Sequence, residues 1–378
     1  MDDEEDRDAD LDALADMTEA ELQQAIEDVR AMLDAETAPP DRMARLTSLE
    51  REVVNILRVT DPKGEFGEFD VDEAGHLASL ALSRGCDDLL ERLSGMAKSL
   101  PHLRELYLGS SDVTDVGLQK VNKFTNLELL SLRRTNVTDA GFVHVAGSKN
   151  LRKLELFDTK LTGRGFTPLR NLKELRELKC NPEEMAGIAL QHIGACRALR
   201  VLKLAHAEIS DDDLGALTPL RELEELDVGW TKVTGRSLSI LRKLRGLRRL
   251  SMENSLVDDE GAEALENMDP LRTLNLSRTR ISDVGLERVK NLRRLDDLYL
   301  SRTRITDHGL QHLTELRNLK GLSLDQTAIS DAGLPHLYGL TELRYLTLSR
   351  TMVTKDGVEL LRSRIAQCDI SVDWETAD

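Results

Sequence analysis

Leucine recurs from Leu103 through Leu127 and Leu151 to Leu343 at a constant spacing of 24 residues, which sets out eleven units in one register. The units open L-x-x-L-x-L, as at Leu271-Leu274-Leu276 and Leu295-Leu298-Leu300, and this alternation predicts a half-buried strand. A stretch such as Thr279 to Leu286 follows and returns as Thr303 to Leu310 and Thr327 to Leu334. Its Thr or Ser suits backbone groups left open at the strand end, and its Asp suits capping of the helix that begins beside it. Its Gly gives room for tight packing or an unusual dihedral. Leu310, Leu313 and Leu316, then Leu334, Leu337 and Leu340, recur at helical spacing, so a short helix closes each unit. Parallel strands side by side, with every helix returning on the other face, predict a stack that curves with its strands inside.

The composite motif L-x-x-L-x-L-x-x-T-x-[VI]-[TS]-D-x-G-L resembles the leucine-rich-repeat family over residues 103–366. Its T-x-[VI]-T-D segment is similar to the cysteine-containing subclass of F-box-type receptors and to bacterial repeat proteins, with Thr or Ser mostly standing where that subclass has Cys. The resemblance implies an α/β solenoid, or horseshoe, with a parallel concave sheet and convex helices.

Solenoid ends expose core and need caps. In residues 367–378, Ile370 and Val372 fall on inward positions of one more strand, followed by Trp374. Residues 64–102 keep helical spacing at Leu89, Leu90, Leu93 and Met96 but lose the L-x-L strand pattern, which suggests a degenerate capping unit. Residues 17–63 read as a helical hairpin: Thr18 to Glu21 is a capping box before the stripe Leu22, Ile26, Val29 and Leu33, then Pro39 and Pro40, then Met43, Leu46, Leu49, Val53 and Ile56. The hairpin is expected to pack on the first unit; docking a partner is the second reading. Residues 1–16 form an acidic tail expected to be disordered.

Charge is unevenly distributed. Residues 1–42 hold 16 acidic residues against Arg7, Arg30 and Arg42, a net of −13 within a total of −17, so residues 43–378 carry only −4. A nearly neutral body argues against a nucleic-acid partner that needs a broad basic face. No leader pattern or uncharged stretch of membrane-spanning length occurs, so a cytoplasmic protein with no membrane contact is expected. Cys86, Cys180, Cys196 and Cys368 form no C-x-x-C pair and suggest reduced thiols rather than a zinc site or a disulfide framework. Unit four, from Leu175 to Met185, lacks the Thr and the T-D, and Cys180 and Cys196 replace core leucines there. His144, His192, His312 and His336 share one convex position, and His308 with His312 lacks further ligands, so no metal site is expected. No P-loop, nucleophile-elbow, dinucleotide or zinc-protease motif is present, and no cofactor or catalytic residue is expected.

Strand positions between the leucines point outward on the concave face. Aromatic residues make up only 3% of the chain, so Tyr107, Phe157, Trp230 and Tyr299 at outward positions are candidate partner contacts, together with His206. Arg278, Arg280, Arg302 and Arg304, with Arg350 further along, form a basic strip suited to an acidic segment of a partner or of the chain's own tail. The chain is thus expected to be a monomeric scaffold that binds an unidentified protein on its concave face. The alternative is a substrate-recognition adaptor for a ubiquitin-ligase-like complex, although residues 40–60 supply no clear F-box; an effector enzyme is the least favoured reading.

Overall fold

The computed structural model describes residues 46–60, 67–182 and 186–373. The acidic tail, the first helix expected for the hairpin and Trp374 lie outside the described residues.

The second hairpin helix is α1 (Ser48–Thr60), with Leu46, Val53 and Val54 buried against the core. β1 (Gly67–Val71) and β2 (Leu77–Leu82) form an antiparallel hairpin, and α2 (Cys86–Gly95) follows. The strand pattern missing from the reading of residues 64–102 is present, at Leu77, Leu80 and Leu82. Leu80 pairs with Leu106, 26 residues on, so two extra residues hide the unit from a search at 24. β1 is the exception to the expected parallel sheet; it covers the outer edge of β2 and prevents further strand addition there.

The strands of units one to six are β3 (Glu105–Tyr107), β4 (Leu129–Ser131), β5 (Lys153–Leu156), β6 (Glu177–Cys180), β7 (Val201–Lys203) and β8 (Glu225–Asp227). Those of units seven to eleven are β9 (Arg249–Ser251), β10 (Thr273–Asn275), β11 (Asp297–Tyr299), β12 (Gly321–Ser323) and β13 (Tyr345–Thr347), and β14 (Asp369–Ser371) closes the stack. The sheet runs in sequence order from β1 to β14, parallel from β2 onward, and each residue pairs with its counterpart one unit away. Ile370 is buried under β14, as the C-terminal cap requires. The convex face carries short α and 3₁₀ turns, and the leucines of both faces meet in one continuous core.

The turn leaving each strand is held by side chains in two ways. The Thr or Ser three residues after the last strand leucine donates its hydroxyl back to that residue's carbonyl, as Thr279 does to Leu276 at 2.6 Å and Thr327 to Leu324 at 2.5 Å. The aspartate acts differently from the sequence reading. Thr or Ser is the helix N-cap, with Ser282 accepting from the Val284 amide, while Asp283 reaches across the unit boundary. Its carboxylate accepts from the Thr306 amide at 2.8 Å and the Thr306 hydroxyl at 2.6 Å. The same bridge joins Asp115 to Thr138, Asp139 to Thr162, Asp211 to Thr234, Asp259 to Ser282, Asp307 to Ser330 and Asp331 to Thr354. Asp at the first helical position faces the neighbouring cap because the stack places that cap's open amide nearer than its own.

This bridge explains the glycine of the motif. A Cβ on Gly309 would stand 2.3 Å from Asp283 Oδ1, and one on Gly141 would stand 2.3 Å from Asp115 Oδ1. Asp283→Ala leaves the Thr306 amide without its partner and should lower stability by about 1–3 kcal/mol in urea unfolding of the full chain. Gly309→Ala should also destabilise, through its clash with that carboxylate. The double variant should therefore cost at least about 1 kcal/mol less than the sum of the singles; simple additivity would refute the link between the two positions.

Candidate functional site

The concave face divides into two halves of different character. On β5 to β9 the outward charges compensate one another. Lys179 Nζ lies 2.8 Å from Glu155 and 3.0 Å from Glu177, and Glu225 holds Arg249 at 2.6 Å and Lys203 at 3.1 Å. Burial alone would raise the Glu155 and Glu225 carboxyls, but hydrogen bonds from Lys179, and from Arg249 and Lys203, hold both below their ordinary value. A partner on this half would have to break ion pairs already made.

From β10 to β13 the outward strand positions are hydroxylic, amide or aromatic apart from Asp297 and Gly321, and none of them forms an ion pair among the described residues. Ser301, Ser323 and Thr347 form a chain of hydroxyls at 2.6 Å and 2.9 Å, closed by Asp325, which accepts from Thr347 at 2.6 Å and from the Ser349 amide at 2.7 Å. Tyr299 and Tyr345 stand out of this floor, 39% and 67% exposed. Between them Gly321 leaves a notch: a Cβ there would meet Asp297 Oδ1 at 2.5 Å. Burial raises the Asp297 carboxyl above its ordinary value, and burial with the nearby Asp297 raises the Tyr299 hydroxyl.

The turns leaving the strands add a ridge along the whole sheet. Ten non-glycine residues there have φ between 51° and 64°, one per unit in every unit except the fourth, where Pro182 stands and proline cannot adopt that geometry. The left-handed conformation fans these side chains outward. His206 stacks on Trp230 with ring centroids 5.2 Å apart, and the Arg278 guanidinium lies 5.4 Å from the Trp230 ring. Arg278 is also steadied by Glu253 at 3.4 Å.

Of the residues expected to contact a partner, His206, Trp230 and Arg278 thus come together, and Tyr299 lies on the neighbouring strand face. Arg280, Arg302 and Arg304 are exposed on the same flank, with no acidic side chain paired to them among the described residues, and Arg350 is exposed further along. Tyr107 and Phe157 stand apart. Tyr107 is half-buried on β3, its hydroxyl donated to Glu105 at 2.8 Å and pushed up to about 12 by burial and that carboxylate. Phe157 is half-buried before the turn at Asp158. Tyr345 was missed because it occupies the third position of its unit; reading that position as a column too would have found it.

Other chemistry is muted. Burial pushes the Cys86 thiol up to about 12 and those of Cys196 and Cys368 to about 11, and raises that of Cys180. Such thiols stay protonated and poor as nucleophiles near neutral pH. Among the described residues no group of three or more His, Cys, Asp or Glu is placed to hold a metal ion, and no helix is long and apolar enough to cross a membrane.

Two outcomes follow from this geometry. Trp230 is exposed and sits in a backbone conformation that costs a non-glycine residue about 1 kcal/mol. Trp230→Gly should therefore keep stability within about 1 kcal/mol of the parent in urea unfolding, where loss of a buried aromatic costs about 3–5; a loss in that upper range would make Trp230 structural. Alkylation of all four cysteines in native protein should be slow and should accelerate on unfolding; rapid native labelling of Cys180 or Cys196 would contradict the burial.

A family model described as leucine-rich repeat matches residues 99–121 and 270–289. An internalin from Listeria monocytogenes aligns with a TM-score of 0.56 at 17% identity, covering 87% of this chain and 96% of that one. A leucine-rich-repeat protein from Leptospira interrogans aligns with a TM-score of 0.56 at 17% identity over 74% of each chain. No curated protein sequence matches the chain significantly.

Proposed function

We propose that the chain, a leucine-rich-repeat protein whose fold supports a protein–protein interaction role in general, is a scaffold that binds a protein partner along its concave face from the turns beyond β7 and β8 to β13. The contact surface is Trp230 with His206 and Arg278 on the ridge, and Tyr299 and Tyr345 on the strands. Arg280, Arg302 and Arg304 serve as a cationic rim for acidic groups of the partner. The observation that carries this reading is the contrast between the halves. Tyr299 and Tyr345 are exposed on strands whose outward residues form no ion pair among the described residues, and Trp230 is exposed in the turn beyond β8, where it stacks with His206 and Arg278; large aromatic side chains with a polar tip are the make-up of an interface anchor.

The same reading places the protein in the cytoplasm as a monomer, in keeping with four free, buried thiols. The adaptor alternative would want α1 available to a second protein. Yet Glu50 on α1 is buried and accepts from the Leu77 amide at 3.0 Å, and Val53 and Val54 lie in the core, which favours capping as the role of this helix.

The test is quantitative affinity capture with the full chain against two variants. Trp230→Ala/Tyr299→Ala/Tyr345→Ala should lose the proteins captured by the parent, while Val116→Ala on the exposed convex face should retain them. Each anchor removed is expected to cost about 2 kcal/mol or more of binding. Equal capture by the triple variant would sink the assignment.

A further inference from the structure

The turn that leads into each strand carries a second column. Its counterpart residue in five successive units is Lys149, Lys173, Arg197, Arg221 and Arg245, and the basic series resumes with Arg293 and Arg317. All seven are exposed, and only Arg293 has an acidic partner among the described residues, Glu315 at 3.6 Å. The backbone aligns them: the amides of Lys149, Lys173, Arg197, Arg221 and Arg293 each donate to the carbonyl two residues back, so these units present the side chain from the same tight turn. Several strand-entry cations on this edge are already used, Arg200 by Glu224 at 3.4 Å among them. Glu128 is shared by Arg104 at 2.7 Å and Arg152 at 2.9 Å, and Asp296 by Arg272 at 3.0 Å and Lys320 at 2.9 Å.

At the strand spacing of about 4.8 Å, the five cations from Lys149 to Arg245 form a row about 20 Å long. Glu174, Glu222 and Glu224 are the acids beside this row, against nine bases between residues 149 and 248 at these turn and strand-entry positions. The near-neutral body therefore conceals a basic edge, balanced by the aspartates in the turns at the opposite ends of the strands.

We propose that this edge is the docking site of the chain's own acidic N-terminal segment, residues 1–16. The segment holds nine acidic residues and one arginine, and residues 1–45 precede the described core. Sixteen residues extend to about 50 Å by themselves, whereas the row begins three strands from β2, about 14 Å away. The tether keeps the segment at high local concentration, so exposed ion pairs that are weak one at a time suffice together. The arginine strip at Arg278 to Arg304 is the competing cradle, but it is shorter and has Glu253 and Asp325 beside it. The docked segment would shield the edge from other polyanions and leave the concave face open.

In the full chain at about 50 mM salt, zero-length carbodiimide cross-linking should join carboxylates of residues 2–16 to Lys149 and Lys173, and these links should fade at about 500 mM. In trans, a labelled peptide of residues 1–16 should bind the chain lacking those residues. Lys149→Gln/Lys173→Gln/Arg197→Gln/Arg221→Gln/Arg245→Gln should weaken that binding about tenfold or more. Trp230→Ala/Tyr299→Ala/Tyr345→Ala should leave it unchanged, which separates this proposal from the concave-face reading. Cross-links scattered over all lysines, or equal peptide binding by the five-fold variant, would overturn it. So would a DNA duplex of about 20 base pairs that binds the trimmed chain more tightly than the peptide does, which would assign the edge to nucleic acid.

Discussion

The carboxylate that crosses each unit boundary is the constraint on which the rest of the stack depends. Leucines alone would allow neighbouring units to slide, because an apolar contact is not directional. Asp283 on the Thr306 amide and hydroxyl is directional, and repeated along the solenoid it fixes both the rise and the rotation from one unit to the next. The glycine follows from it, since a Cβ would occupy the carboxylate's place. The spacing between the two partners can be stretched: at the N-terminal cap Asp87 reaches the Thr114 amide over 27 residues, where Asp283 reaches Thr306 over 23.

Where the bridge is absent, the chain finds other solutions, and these are local. Gly163 replaces the aspartate before unit four, and Gly187 replaces it before unit five. Ser210 is then capped from within its own unit by Asp213, at 2.9 Å to its amide and 2.8 Å to its hydroxyl. Pro182 removes both an amide and the left-handed turn from unit four, and the Asn181 side chain compensates. It accepts from the Asp158 amide at 2.8 Å and donates to the Asp158 carboxylate at 2.8 Å. A cavity of about 200 Å³ lined by Phe166, Asn181 and Pro182 opens at this junction. Between units six and seven Gly235 and Gly261 meet directly, and the joint closes by backbone contact.

Periodicity made the fold legible because each unit answers the same packing problem, and eleven answers in register leave one architecture. It failed at the N-terminal cap, where two extra residues displaced Leu77, Leu80 and Leu82 from the expected column. It also misassigned the aspartate, since a local capping rule cannot know that a neighbouring unit brings a second open amide within reach. Trp230, His206 and Arg278 were visible as residue types, yet their stacking depends on the left-handed turn and on the small Asn254 between them, which lets the guanidinium reach across a unit. Tyr107 and Phe157 are half-buried and lie apart from that cluster, a separation that position within a unit does not reveal.

Net charge was the least faithful summary of the sequence. A solenoid separates by geometry what composition averages, because residues entering a strand and residues leaving it are placed on opposite edges in every unit. The aspartate ladder commits negative charge to one edge for structural reasons. Cations occur in the same turns, as Arg280 and Arg304 do, but they lie exposed and leave the bridging carboxylates to their Thr and Ser partners. The exposed row of lysines and arginines from Lys149 to Arg245 is left without an ion-paired acid among the described residues, while the aspartates of the ladder are engaged across unit boundaries at the opposite edge.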